Sequence, residues 1–165
     1  MHVEAYQYVS AAAKVLTLEG EVLEIGGINI NGGVRDLIPH TRWVSVDIIH
    51  GPDVDIVADA ADLRLGELFD VVVCAEVFEH TPKSAAIIVT AYEHLRSGGC
   101  FVATMAGPGR AVHSANGGQL QPDEFYENVE PSTLRNWLVD AGFQTIAIDQ
   151  ADDDVRCWAR KGNDG

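Results

Sequence analysis

The sequence predicts an α/β fold: a doubly wound, mainly parallel sheet of seven strands, with an antiparallel strand in a C-terminal hairpin. Three observations lead there. Strand-like and helix-like segments alternate through the first five strands, and such alternation builds a parallel sheet with helices on both faces. The fourth strand, Phe69 to Cys74, is apolar at every position after Asp70, as in a strand covered on both sides. The length, 165 residues, suits a single domain over 1–165.

The elements follow in order. Tyr8, Ala12, Val15 and Leu16 put one apolar stripe on a helix over Ala5 to Leu18, within an N-terminal segment of residues 1–20. Glu21 to Ile25 reads as a buried strand that runs into Gly26 and Gly27. A short helix is expected over Val34 to Ile38, closed by Pro39. Trp43 to Ile49 and Val54 to Val57 are strands two and three, and Ala60 to Leu68 is a small helix or turn. Thr81-Pro82 suggests an N-cap and first helical residue for a helix reaching about Arg96, with Gly98-Gly99 as its stop. Cys100 to Met105 is strand five. Pro131 to Ala141 is helical and Gly142 ends it. Phe143 to Asp149 and Val155 to Lys161 close the fold, with Asp152-Asp153-Asp154 as a solvated hairpin turn. Between Ala106 and Val129 there is no period, only residues rich in Gly, Asn, Pro and Asp. A loop that long, 106–130, is expected on the substrate side.

Composition excludes several classes. The chain has 11 Lys+Arg against 25 Asp+Glu, a net charge of −14, which repels phosphate backbones and argues against general nucleic-acid binding. Cys74, Cys100 and Cys157 show neither a disulfide framework nor metal spacing, so a reducing, cytoplasmic setting and no metal are expected. The N-terminus lacks a signal-peptide pattern, and no apolar run approaches the ~20 residues of a membrane helix.

In a sheet of this kind ligands bind beyond the carboxyl ends of the strands. After strand one, Glu24-Ile25-Gly26-Gly27 opens a glycine-rich loop that continues to Asn31-Gly32-Gly33. Its backbone amides suit a ligand, or simply a strand-to-helix turn. Ile28 stands where a dinucleotide fingerprint needs glycine, which speaks against a nicotinamide-dependent oxidoreductase. Asp47, 23 residues after Glu24 and followed by Ile48, is placed to accept the two hydroxyls of a ribose, or to cap a turn. Asp59-Ala60 fits either an exocyclic amine or an N-cap. Ala75-Glu76-Val77-Phe78-Glu79-His80 packs two acids and a histidine before a helix.

Together these segments resemble class I S-adenosylmethionine-dependent methyltransferases, in particular the group that includes the ubiquinone and menaquinone biosynthesis enzymes. Val22-Leu23-Glu24-Ile25-Gly26 looks like the family's first motif, and Asp47 occupies the place of its ribose-binding acid. Ala58 to Leu63 looks like the adenine-contacting segment. Phe69 to Val72 with Glu76 to His80 resembles the fourth-strand motif, and Leu95 to Val102 the turn into strand five. Ile28 and Ile30 depart from the family's glycine loop.

The resemblance implies a Rossmann-like fold, S-adenosyl-L-methionine as cofactor and in-line methyl transfer to a small-molecule or other non-nucleic-acid acceptor. The alternative is a non-catalytic S-adenosylmethionine-binding or regulatory subunit. It also implies cofactor contacts from Glu24, Gly26, Gly27, Asn31, Gly32, Asp47, Ile48, Asp59, Ala60, Ala75 and Glu76. His113, His80 and Glu79 are the candidate catalytic residues, on the footing that a base is needed only if the acceptor loses a proton. For His80 the competing reading is a structural residue, and for His113 an exposed loop side chain. Tyr126 reads as lid or loop packing.

Overall fold

The computed structural model describes residues 3–30 and 32–163. Alternate side chains of β1 (Gly20–Ile25) enter two separate cores. Leu23 and Ile25 face one layer, and Val22 faces the other. The same alternation runs through β2 (His40–Asp47), β4 (Phe69–Ala75) and β5 (Leu95–Ala106). A period of two in a strand apolar throughout requires cover on both faces.

One cover is α1 (Val3–Val15), whose Val9, Ala12 and Ala13 pack on Val22, Trp43, Val71 and Val102. The other comprises α2 (Ser84–Glu93) and α3 (Pro131–Ala141), which bury Ile87, Ile88, Leu134 and Leu138 against Leu23, Val72 and Phe101.

With β3 (Ile56–Val57), β6 (Thr145–Ala151) and β7 (Asp154–Arg160), the strands form one seven-stranded sheet in the order β3-β2-β1-β4-β5-β7-β6. Pairing is parallel from β3 to β5. β7 runs antiparallel to both β5 and β6. Chain order reverses between β1 and β4, so the carboxyl ends of those two strands flank the crevice where such sheets bind ligands.

Several local expectations change. Ala60 to Leu68 takes the turn of its two alternatives, with turns and bends and no helix. The Asp59 carboxylate accepts the Ala61 amide at 2.9 Å and closes an Asx turn. Val34 to Ile38 shortens to a 3₁₀ turn at Arg35–Leu37. Thr81 is not the N-cap of α2. Its hydroxyl accepts the Lys83 amide, and the helix starts at Ser84. α2 stops at Glu93, because Leu95 pairs with Phe69 and β5 begins five residues earlier than expected. Asp154 is not a solvated turn residue: it is 5% exposed, begins β7 and pairs with Arg110. Pro131–Ala141 and its stop at Gly142 stand as expected. No helix among the described residues is long and apolar enough to cross a membrane.

Candidate active site

The strand ends open into a cleft of about 820 Å³. Every candidate cofactor residue that the structure describes lines it: Glu24, Gly26, Gly27 and Gly32 from β1 and its loop, Asp47 and Ile48 from β2, Asp59 and Ala60 after β3, Ala75 and Glu76 at the end of β4. Asn31 lies outside the described residues. His80 and His113 face the same cleft.

The floor is a tight turn. Gly26 has φ +75°, and a β-carbon there would sit 2.1 Å from Val77 Cγ2. A β-carbon on Gly27 would lie 1.8 Å from Ser45 Oγ and 2.9 Å from Glu24 Oε2. Only glycines let the backbone pass this close to β2 and to the segment after β4. Beneath the turn the Glu24 carboxylate, 8% exposed, accepts the Trp43 indole N–H at 2.9 Å. Burial pushes its pKa up to about 7.

The departure from the usual glycine loop has its own supports. Asp47 Oδ2 accepts the Ile28 amide and Oδ1 the Ile49 amide, each at 3.1 Å. Asn29 donates from its side chain to Asp53 at 2.8 Å, and its carbonyl oxygen accepts the Gly32 amide at 2.9 Å. Ile28 packs where a β-carbon on Gly51 would be, 2.5 Å from its Cδ1. The isoleucine-containing loop is thus laid on the β2–β3 connection. Asn29 and Asp53 carry that arrangement, and the sequence offered no signal for them beyond loop composition. Asp59, at the far end, is in an ion pair with Lys83 at 2.7 Å, which lowers its pKa.

Across the cleft, the segment after β4 is a 3₁₀ turn over Phe78–His80 that the sequence reading missed. It begins at Glu76, held at φ +58°. Such a conformation costs a non-glycine residue about 1–3 kcal/mol and recurs at ligand clamps. Glu79 is fully buried; Oε1 accepts the Ala106 amide at 3.2 Å, while Oε2 has no hydrogen-bond partner. Burial first, then the Glu76 charge, pushes its pKa up to about 8. His80 is pushed down to about 4, by burial and then by His113.

The long loop supplies the remaining wall through residues 113–118 and 123–125. It is irregular but tied. The Glu127 amide donates to Glu79 O at 2.9 Å, and Val129 to Ala106 O at 2.9 Å. Asn128 donates to Arg110 O at 3.0 Å, and Ser114 Oγ to Glu124 at 2.7 Å. Arg110 reaches back to Asp154 and lies 3.8 Å from Glu76. Gly107 and Gly109 leave no room for a side chain: β-carbons there would meet Val155 Cγ2 and Asp153 Oδ1, both at 2.7 Å.

His80, His113 and Tyr126 stack edge-to-face, with centroids 4.9–5.5 Å apart. A Glu79 oxygen and one nitrogen from each histidine lie within 4.8 Å of one another, a donor set suited to a metal ion. Spacing along the chain gave no hint of it, since 33 residues separate the two histidines.

The comparisons agree with this architecture. A family model described as a methyltransferase domain matches residues 4–148. The chain therefore belongs to that family, and its strand order is that of the class I S-adenosylmethionine-dependent methyltransferase fold. It is 33% identical over 102 residues to a ubiquinone biosynthesis O-methyltransferase of Pseudomonas putida, covering 56% of this chain and 44% of the relative. The chain thus spans under half the length of the curated relatives it matches.

Among solved structures it resembles the DhpI–SAH complex, with TM-score 0.68 at 16% identity over 96% of each chain. It also resembles Burkholderia thailandensis 1,6-didemethyltoxoflavin-N1-methyltransferase, with TM-score 0.70 at 19% identity over 96% of this chain and 79% of that one. At these identities the likeness is one of fold.

Proposed function

We propose that this chain moves the methyl group of S-adenosyl-L-methionine onto a small, non-anionic acceptor. The observation that carries this reading is the single cleft, which joins the ends of β1, β2 and β4 to the wall of the long loop.

The residues present fit the cofactor. The Gly26–Gly27 turn, where no β-carbon fits against Val77 and Ser45, brings bare backbone to the cleft, and two buried carboxylates, Glu24 and Asp47, line it as well. Glu24 takes the ammonium of the methionine end. Asp47 has one lone pair left on each oxygen after its two amide bonds, enough for two ribose hydroxyls. Ile48, 70% exposed, offers an apolar face to the adenine, and Asp59 with Ala60 and Ala61 borders its edge. Ala75 and Glu76 close the side nearest the reacting sulfur. When bound, S-adenosyl-L-methionine supplies an electrophilic methyl carbon on a sulfonium.

The chain's own contribution is to orient an acceptor in line with that carbon, exclude water and take a proton where the acceptor has one to lose. His113 suits the last task. Its Nδ1 lies 2.9 Å from Ala111 O, and a carbonyl only accepts, so in the neutral ring Nε2 carries the lone pair. Glu79, carrying its proton at neutral pH, is not the base there. Among the described residues Lys83 is the only Lys or Arg lining the cleft, and it is held by Asp59. An anionic acceptor finds no counter-ion, whereas an uncharged hydroxyl or amine compound meets no penalty.

The test is calorimetric titration with S-adenosylhomocysteine, followed by a screen of neutral, cationic and anionic hydroxy- and amino-arenes with methyl-labelled cofactor. Binding and label in the neutral or cationic products are expected. His113→Ala should lower turnover roughly 10²–10⁴-fold with cofactor affinity unchanged. No binding at millimolar ligand removes the reading, and unchanged turnover removes His113 as base.

A further inference from the structure

The Glu24 carboxylate is held from β2, the neighbouring strand, and that attachment has consequences for ligand capture. Trp43 is 6% exposed, packed in the α1-side core, and its Nε1–H donates to Glu24 Oε2 at 2.9 Å. That same oxygen lies 2.9 Å from where a β-carbon of Gly27 would be, directly under the turn. We propose that Trp43 is a positioning residue for cofactor binding, its indole N–H fixing the Glu24 carboxylate and favouring its ionised form, so that the ammonium of the methionine end meets an anion already in place. The inference rests on the functional reading above.

Indole has one donor and no acceptor, so it can serve only as a donor to this carboxylate. A bond from N–H to a carboxylate is roughly twice as strong as one to a neutral acid, which favours the anion. Burial works against it, and the balance leaves Glu24 near pKa 7. The groups that face Glu24 are few. Trp43 and Ser45 come from β2, the Arg35 charge from the 3₁₀ turn lowers its pKa, and the Asp53 charge from the β2–β3 connection raises it. Without the indole donor the acid keeps its proton at neutral pH, and capture of an ammonium must first release that proton.

The experiment measures the affinity of S-adenosylhomocysteine from pH 5 to pH 9. For the wild type it should be full above pH 7 and fall toward tenfold per unit below it. Trp43 is then replaced by 3-(3-benzothienyl)alanine, which keeps the ring shape and lacks the N–H. The fall should move up by about one pH unit, with affinity at pH 7 down severalfold to tenfold and near wild type at pH 9.

Trp43→Phe should move the profile in the same direction. Glu24→Gln should bind weakly with the fall near pH 7 abolished. 5′-Methylthioadenosine lacks the amino-acid end, and its affinity should not respond to the benzothienyl replacement. A merely structural role would weaken both ligands at every pH without moving the midpoint. A benzothienyl profile that superimposes on the wild type, or an equal loss for methylthioadenosine, overturns the proposal while leaving the functional reading intact. Wild-type protein that binds no S-adenosylhomocysteine at any pH overturns both.

Discussion

The two walls of the cleft are built in opposite ways. The wall assigned to the cofactor consists of strand ends, where short sequence segments make their own turns: Glu24 to Gly27, Asp47 to Ile49, Asp59 to Ala61. The wall assigned to the acceptor is one irregular segment between Ala106 and Pro131, which is anchored to the fold by partners far away in the chain. Arg110 reaches Asp154 44 residues on, and the Glu79 side chain meets the Ala106 amide 27 residues on. A local turn makes a sequence pattern, whereas a long-range tie leaves only an isolated charged residue.

If that contrast is right, cutting an anchor should loosen one wall and spare the other. Arg110→Ala leaves Asp154 buried without its cation. Removing one partner of such a pair costs about 3–5 kcal/mol, which chemical denaturation would register. Amide hydrogen exchange should rise across residues 107–130, while S-adenosylhomocysteine affinity stays within a few-fold. A cofactor affinity that collapses together with the loop would mean that the 3.8 Å approach of Arg110 to Glu76 joins the two walls into one unit.

The cofactor wall can be broken from its own side. Asp47→Ala removes the acceptors of the Ile28 and Ile49 amides together with those proposed for the ribose. At about 1.5–3 kcal/mol per charge-assisted bond, binding should weaken by roughly 100-fold or more. Asp59→Ala should cost about tenfold or less, since its carboxylate is exposed and already neutralised by Lys83. Titration of both variants at constant salt checks the order. Equal losses would place the ribose elsewhere.

The same contrast explains what could be read in advance. The parallel sheet, its five successive strands and α3 were legible, because apolar alternation and glycine or proline punctuation are local. So were the described strand-end residues that line the cleft. The burial of Asp154 is not legible in three adjacent aspartates, which say nothing of which one faces a half-buried arginine. Ala60 to Leu68 left helix and turn both open, and the structure has the turn, which begins at the Asp59–Ala61 bond. The gathering of Glu79, His80 and His113 exists only once β4 and β5 lie side by side. Trp43 read as an ordinary strand residue, since nothing in the sequence says that its N–H faces Glu24 across the β1–β2 pair.

Glu79 lies behind the cleft: it follows β4 and holds the start and the end of the loop through Ala106 and Glu127. It has the smallest expected effect on turnover and gives the finest test. Its pKa is about 8 when folded against an unfolded value near 4.5. Below pH 4.5 both states keep the proton. Between 4.5 and 8 the unfolded chain ionises while the native protein does not, so stability falls as pH rises and levels off above 8. Glu24, raised to about 7, acts in the same direction. His80, lowered to about 4, acts oppositely, but its contribution is complete once pH exceeds about 6.5.

The window from pH 6.5 to 8 therefore reports mainly on the two acids. Glu79→Gln keeps an acceptor for the Ala106 amide and cannot ionise. It should lie close to the wild type near pH 5 and above it at pH 8, with a flatter dependence of melting temperature between. Turnover at pH 7 should hold within a few-fold, because the wild-type carboxyl carries its proton there. Parallel melting profiles would show that Glu79 ionises normally and that water reaches the seam between the walls. A large loss of turnover would make Glu79 the base in place of His113.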